Sequence, residues 1–334
     1  MTREPNINNL YKVLKREMPD RPTLFELFLN SDLYEHFAGG AEPEWCLKET
    51  TQYLVRAYAA AGYDYASTGG SRFGFPVKEH ARESTTSLNE GNVIFDRESF
   101  DAYEWPEPAD FAYDPLDLSE GDMPAGMKLM VLGPNGVLEN TIRLVGYDNL
   151  CIMLYDDPEL VSDIFECVGK REVEYYKRAL AYPSVGVVMS NDDWGFNTQT
   201  MLKPDDLRKY VFPWHKQIVD LAHAKGLPAI LHSCGYFGEV MDDVIAMGFD
   251  GKHSYEDNIL CVEDSYKKWH DKIAIMGGID LDFIVTKTPE EVYARSKAML
   301  ALGKTGYALG TGNSVPKYVP FENYFAMTKA ALEG

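Results

Sequence analysis

Short apolar runs alternate with longer amphipathic stretches along most of this chain, and that alternation restricts its fold more than any other feature. Candidate strands occupy residues 63–66, 128–132, 185–190, 229–234, 249–253, 273–278 and 307–310, and most of them end in Gly, Asp, Asn, His or Cys. Helical patterns fill the intervals at 205–224, 237–247 and 289–302. The last of these opens with Thr288-Pro289-Glu290-Glu291, where Thr288 can cap and Pro289 suits the first turn. Strands joined through helices run parallel, with the helices covering the sheet. Seven or eight such units in 334 residues predict a (β/α)8 TIM barrel, an α/β fold in a single domain over 1–334. No Gly-x-Gly-x-x-Gly follows an early strand, which argues against a dinucleotide-binding fold.

A hydrophobic content of 45% supplies a large core. The 32 basic residues against 52 acidic ones leave a net charge of −20, which repels nucleic-acid phosphates and anionic membranes and excludes both as partners. Five scattered cysteines without a Cys-x-x-Cys pair do not form a disulfide framework. With no apolar signal region behind Arg3 and no long apolar run, the chain is expected to be soluble and cytoplasmic.

The segment 73–126 differs, being rich in Pro, acidic and aromatic residues around Trp105-Pro106-Glu107-Pro108. It reads as a long insertion over the barrel mouth, either a binding lid or surface elaboration.

Candidate chemistry collects where strands end. In Ile230-Leu231-His232-Ser233-Cys234-Gly235 an imidazole and a thiol stand two positions apart, so on a strand both point to one face and can share a metal. The bland alternative is a buried free Cys beside a hydrogen-bonded His. Next, Lys252-His253-Ser254-Tyr255-Glu256-Asp257 adds a second imidazole and carboxylates; Glu256 either completes a metal site or orients His232, unless the loop is merely solvated. In Ser190-Asn191-Asp192-Asp193-Trp194 the paired carboxylates can share a proton or hold a cation beside the flat face that Trp194 offers to a ligand ring, and the bland alternative, compatible with the first, is that Asp192 or Asp193 caps the following helix. Gly277-Gly278-Ile279-Asp280 and Gly310-Thr311-Gly312-Asn313 are glycine-bearing ends that either admit a ligand or make tight turns; neither matches a phosphate loop.

Taken in order, Asp192-Asp193-Trp194-Gly195, Leu231-His232-Ser233-Cys234-Gly235, Gly277-Gly278-Ile279-Asp280, Gly312-Asn313-Ser314-Val315-Pro316 and Pro320-Phe321-Glu322-Asn323 resemble the uroporphyrinogen decarboxylase superfamily, and within it the corrinoid-linked methyltransferases. The likeness is clear over about 180–330 and looser before it. It implies a (β/α)8 barrel in which a His-x-Cys pair and a later Cys hold zinc, and the zinc activates a thiol that accepts a methyl group from a methyl-corrinoid protein. His232 and Cys234 match the pair, but Asn313 stands where the later Cys is expected. An amide is a weak zinc ligand, so either Asp193 or Glu256 supplies the third donor, or the metal is weakly held, or there is none.

The resemblance implies a methyltransferase of a demethylation system, moving a methyl group between a small substrate or thiol and a corrinoid protein. Asp193, His253 and Glu256 would then orient ligands or relay protons, and Asn313 would contact substrate or corrinoid. Trp194, Gly278 and Asp280 would border the bound group. The cobalamin would arrive on the partner, since no Asp-x-His-x-x-Gly motif is present here. Barrels of this size often pair, which makes a homodimer one expected arrangement. A metal-free decarboxylase using Asp64 is the first alternative, although Arg21-Pro22-Thr23-Leu24-Phe25-Glu26-Leu27-Phe28 lacks the arginines that clamp porphyrin carboxylates in that branch. A noncatalytic ligand-binding barrel is the second.

Overall fold

A computed structural model of the chain describes residues 3–41, 45–77 and 88–333. Among the described residues seven strands form one parallel sheet in sequential order: β1 (Tyr65–Gly69), β2 (Lys128–Leu132), β3 (Val185–Asn191), β4 (Ala229–His232), β5 (Gly251–His253), β6 (Ala274–Met276) and β7 (Tyr307–Ala308). Strictly sequential neighbours with helices between them are what successive right-handed crossovers produce. The strand interiors are buried on both faces, as helix-covered parallel strands must be.

The expected eighth strand is not among the seven. Instead, residues 23–26 lie in extended form between the two sheet edges. Leu24 makes a parallel bridge with Leu309 beyond β7, with Phe25 N–H donating to Leu309 O at 2.8 Å and Leu309 N–H to Thr23 O at 2.8 Å. Toward β1, the contact runs through a side chain: Tyr65 Oη accepts from Glu26 N–H at 2.8 Å and donates to Glu26 O at 2.7 Å.

Helix boundaries follow local chemistry. The helix Pro289–Leu302 begins as expected, with Thr288 and Glu291 exchanging side-chain-to-backbone bonds in a capping box. The single helix expected at 205–224 is two, Pro204–Tyr210 and Phe212–Ala224, because Pro213 has no N–H to continue the ladder. The expected helix at 237–247 shrinks to Met241–Met247, its first residues forming a turn closed by Val240 N–H on Phe237 O at 3.0 Å.

The inserted segment 73–126 packs, in its described part, against the helices that cover the sheet; residues 78–87 lie outside the described residues. Ile94 N–H donates to Leu144 O at 3.0 Å, Arg171 Nε to Pro106 O at 2.9 Å, and Ser184 Oγ to Leu116 O. These contacts lay the segment along the helices Val137–Val145 and Pro158–Ala179, down to the foot of β3. Its buried Phe73, Phe75, Ile94, Tyr113 and Leu116 join the main core. No helix among the described residues is long and apolar enough to cross a membrane, and all five cysteines are free.

Candidate metal centre

All the strands point one way, so their carboxyl ends gather 191–193, 232–235, 253–257, 276–280 and 311–313 on one face. On that face Asp193, His232 and Cys234 each offer a ligand atom, all within 4.8 Å of one another, and they are the one such metal-capable group among the described residues. His232 Nε2 lies 3.5 Å from Cys234 Sγ. Zinc bonds of ~2.0–2.3 Å to nitrogen, oxygen and sulfur put tetrahedral ligand atoms roughly 3.3–3.8 Å apart, so this spacing fits a shared ion.

The two ligands do not converge by the simple strand alternation expected of them. β4 ends at His232, and Gly235 turns the chain with φ +77°. A β-carbon there would meet Gly195 O at 2.0 Å, so the close approach of two loops requires glycine at this position. Asp193 Oδ1 accepts from Cys234 N–H at 2.8 Å and holds the thiol-bearing residue beside the strand it has left.

A buried relay determines which imidazole nitrogen faces the site. His232 and His253 are register partners on β4 and β5, and their Nδ1 atoms are 2.9 Å apart. His253 Nε2 lies 3.3 Å from Thr311 O, which can only accept. His253 therefore carries its proton on Nε2, its Nδ1 accepts, and His232 donates from Nδ1. His232 Nε2 is left with a free lone pair toward Cys234, the tautomer a metal needs. Burial lowers His232 to about 4 and His253 well below its ordinary value, so both rings are neutral.

Burial, followed by the Asp193 carboxylate, raises the Cys234 thiol. A nitrogen, a sulfur and an oxygen donor are thus held together with two incipient negative charges, and a divalent cation among them would reverse that penalty. The donor set suits zinc. Asn313 is not part of it: Nδ2 donates to Cys234 Sγ at 3.2 Å, while Oδ1 accepts from Ser314 N–H at 2.8 Å. The amide presents a donor to the sulfur rather than a ligand to the metal.

Other expected site residues are differently placed. Trp194 is fully buried between Phe212 and His215 and offers no face to a ligand. Neither acid caps the helix that follows, Pro204–Tyr210; Asp192 instead reaches back to the amino end of the earlier helix Val137–Val145, accepting from Leu138 N–H at 2.9 Å and Glu139 N–H at 3.0 Å, and bonds His215 Nε2 at 2.9 Å. Glu256 lies outside the donor group and lines a cavity of about 510 Å³ with Tyr255, Asp280, Phe283, Asn313 and Tyr318. Asp280 caps the helix Leu281–Thr286 through Phe283 N–H at 3.0 Å. Gly278 has φ +107°, and a β-carbon there would meet Val262 at 2.4 Å, so its small size serves packing. His253 is fully buried behind His232 and does not reach the open face.

Asp64 is at the wrong end. It precedes β1 and pairs with Arg21 at 2.5 Å near the amino ends of the strands, which removes the residue on which the metal-free decarboxylase rested.

Three residues near the centre were not singled out from sequence. Glu139, which accepts from Gly136 N–H at 3.1 Å at the start of the helix Val137–Val145, is raised to about 8 by burial and by Asp192 and Asp193. Lys252, at the end of the candidate strand 249–253, is wholly buried. Its Nζ donates to Ser233 O at 3.1 Å and to Ser254 O, tying the loop after β4 to the loop after β5; burial lowers it to about 7. Glu26 bonds Thr311 from below the mouth. The Gly-x-x-Glu spacing could have flagged Glu139, whereas nothing local marks the other two.

The family described as Uroporphyrinogen decarboxylase (URO-D) matches residues 133–333, well over half the chain. No curated protein matches. Among solved structures, a methyltransferase from Methanosarcina mazei superposes with TM-score 0.71 at 15% identity, covering 99% of each chain. Two looser likenesses are a B12-independent methionine synthase from Shewanella sp. W3-18-1 (TM-score 0.41, 13% identity, 62% of this chain and 61% of that one) and xylanase B from Clostridium stercorarium F9 (TM-score 0.39, 11% identity, 68% and 83%). The first likeness establishes the fold; the other two bear on nothing further.

Proposed function

This chain belongs to the uroporphyrinogen decarboxylase family, and from that membership we propose that it is a methyltransferase, moving a methyl group between a small substrate or thiol and a corrinoid protein with zinc as Lewis acid. The observation that carries this is the convergence of Asp193, His232 and Cys234 within 4.8 Å at the carboxyl ends of the strands, where enzymes of this architecture place their chemistry. Bound there, zinc would lower the pKa of a coordinated thiol or water and supply a nucleophile at neutral pH.

The chain's own residues prepare that centre. Thr311 and His253 hold the His232 lone pair toward the site. Asp193 supplies the third donor and anchors the Cys234 backbone. Asn313 donates to the sulfur and also borders the 510 Å³ cavity, so a substrate in that cavity would lie beside the ligands. Residues 23–26 would close the seven strands into a (β/α)8 barrel. A corrinoid partner would dock over the carboxyl face, because transfer needs donor and acceptor aligned at an open side.

The test is methyl transfer to free cob(I)alamin from a panel of methylated amines, ethers and thiols by the zinc-loaded protein. Turnover that disappears in Cys234→Ala supports the assignment; a zinc-loaded protein inert with every donor and with methylcobalamin plus thiols contradicts it.

A further inference from the structure

The Thr311 hydroxyl has two oxygen neighbours, Glu26 Oε2 at 2.6 Å and the carbonyl of Asn313. A hydroxyl has one proton and can donate to only one of them. Were Glu26 ionised, both neighbours would be pure acceptors, and one buried oxygen pair would face each other with no proton between. The Asn313 carbonyl has none to give. Glu26 can supply it as a carboxylic acid, and since its Oε1 accepts from Thr311 N–H at 2.8 Å, Oε2 is the atom left to carry the proton.

We propose that Glu26 is a neutral carboxylic acid in the folded protein and acts as a positioning residue: its Oε2–H donates to Thr311 Oγ1, whose own proton bonds Asn313 O and holds the Asn313 amide against Cys234 Sγ. The surroundings favour the neutral form. Glu26 is fully buried, and burial pushes it up to about 8 against the opposing Thr311 bonds, with no cation contributing. Five tyrosines feel its charge: Tyr34 on the helix Ser31–Ala38, Tyr63 and Tyr65 at β1, Tyr307 on β7 and Tyr324 on the helix Phe321–Leu332. Beyond Thr311 stands His253, which donates to the Thr311 carbonyl. The assignment does not depend on zinc or on methyl transfer, because every group in it belongs to the chain.

Infrared difference spectroscopy on the full-length protein reads the proton directly. Wild type minus Glu26→Gln, at neutral pH, should show a protonated-carboxyl carbonyl band that shifts on deuteration and fades as pH passes about 8. A carboxylate band in its place overturns the proposal. Thr311→Val keeps the acid and removes its hydroxyl partner, so the same band should move toward the frequency of a free acid; an unmoved band also overturns it. The positioning role is read by mass-spectrometric mapping of iodoacetamide labelling. Thr311→Val should lower the labelling rate of Cys234 several-fold, because a released Asn313 no longer donates to the thiolate, while Glu26→Gln, which keeps a donor and an acceptor at the two atoms, should leave it within twofold. Equal rates in Thr311→Val and wild type would remove the positioning role.

Discussion

The Nδ1 atoms of His232 and His253 lie 2.9 Å apart, and the carbonyl of Thr311 behind His253 decides which of them bears the proton. Replacing His253 by Leu removes the acceptor and frees the His232 ring to turn or change tautomer. Zinc affinity, measured by chelator competition, should fall roughly 10–100-fold, as when other supports of a ligand imidazole are lost. His253→Gln, which can still accept, should recover part of the loss. Unchanged affinity in His253→Leu would show that the relay does not support the site.

Asp193 has two tasks that one substitution separates. Asn at this position retains an oxygen to accept the Cys234 N–H, now 2.8 Å from Oδ1, but loses the charge. Asp193→Asn should therefore fold with wild-type stability while losing more zinc affinity than the roughly 10–100-fold expected for His253→Leu. Equal affinity would remove Asp193 from the ligand set.

Gly235 and Gly226 both have positive φ, +77° and +70°, but a β-carbon at Gly235 would sit 2.0 Å from Gly195 O whereas one at Gly226 meets nothing within 4 Å. Alanine at Gly226 should cost about 1 kcal/mol from backbone strain alone. Alanine at Gly235 should cost clearly more, by urea unfolding, and should also lower zinc affinity because the Cys234 loop must move. Equal losses at the two positions would mean that the close approach is not maintained in solution.

Glu172 is buried at 1% exposure against Asn140, and burial, then Asp192, raises its carboxyl well above the ordinary value. The folded state thus binds a proton that the unfolded chain has released. Its stabilising contribution is complete below the unfolded pKa near ~4.3 and is lost as pH rises toward the folded value, at about 1.4 kcal/mol per pH unit for one proton. Unfolding free energy should decline across that window, and Glu172→Gln should flatten the decline by about one proton. A slope identical in the two proteins would place the Glu172 proton elsewhere.

Residues whose role depends on near neighbours were the legible ones. β2 falls at 128–132 as its apolar run indicates, and the helix Pro289–Leu302 starts at its capping box. The His232–Cys234 pair was visible as a motif, though the convergence itself comes from Gly235 and Asp193. Pairings across the fold left no local mark. Thr311 meets Glu26 across 285 positions, and Lys252 reads as a strand-end lysine until Phe237 and Tyr255 are seen to cover its ammonium group at 3.6 Å and 4.6 Å. Trp194 misled in the opposite direction, because an aromatic at a strand end looks the same in sequence whether its ring faces a ligand or, as here, Phe212 and His215.

The central claim is that His232, Cys234 and Asp193 share one metal ion. X-ray absorption at the zinc edge of the metal-loaded protein, compared with its Cys234→Ala variant, addresses it most directly. The account predicts about one tightly bound zinc per chain with a single sulfur near ~2.3 Å and nitrogen or oxygen neighbours near ~2.0–2.1 Å, the sulfur absent from the variant. A protein that binds no zinc tightly, or a zinc whose sulfur shell survives loss of Cys234, would contradict it.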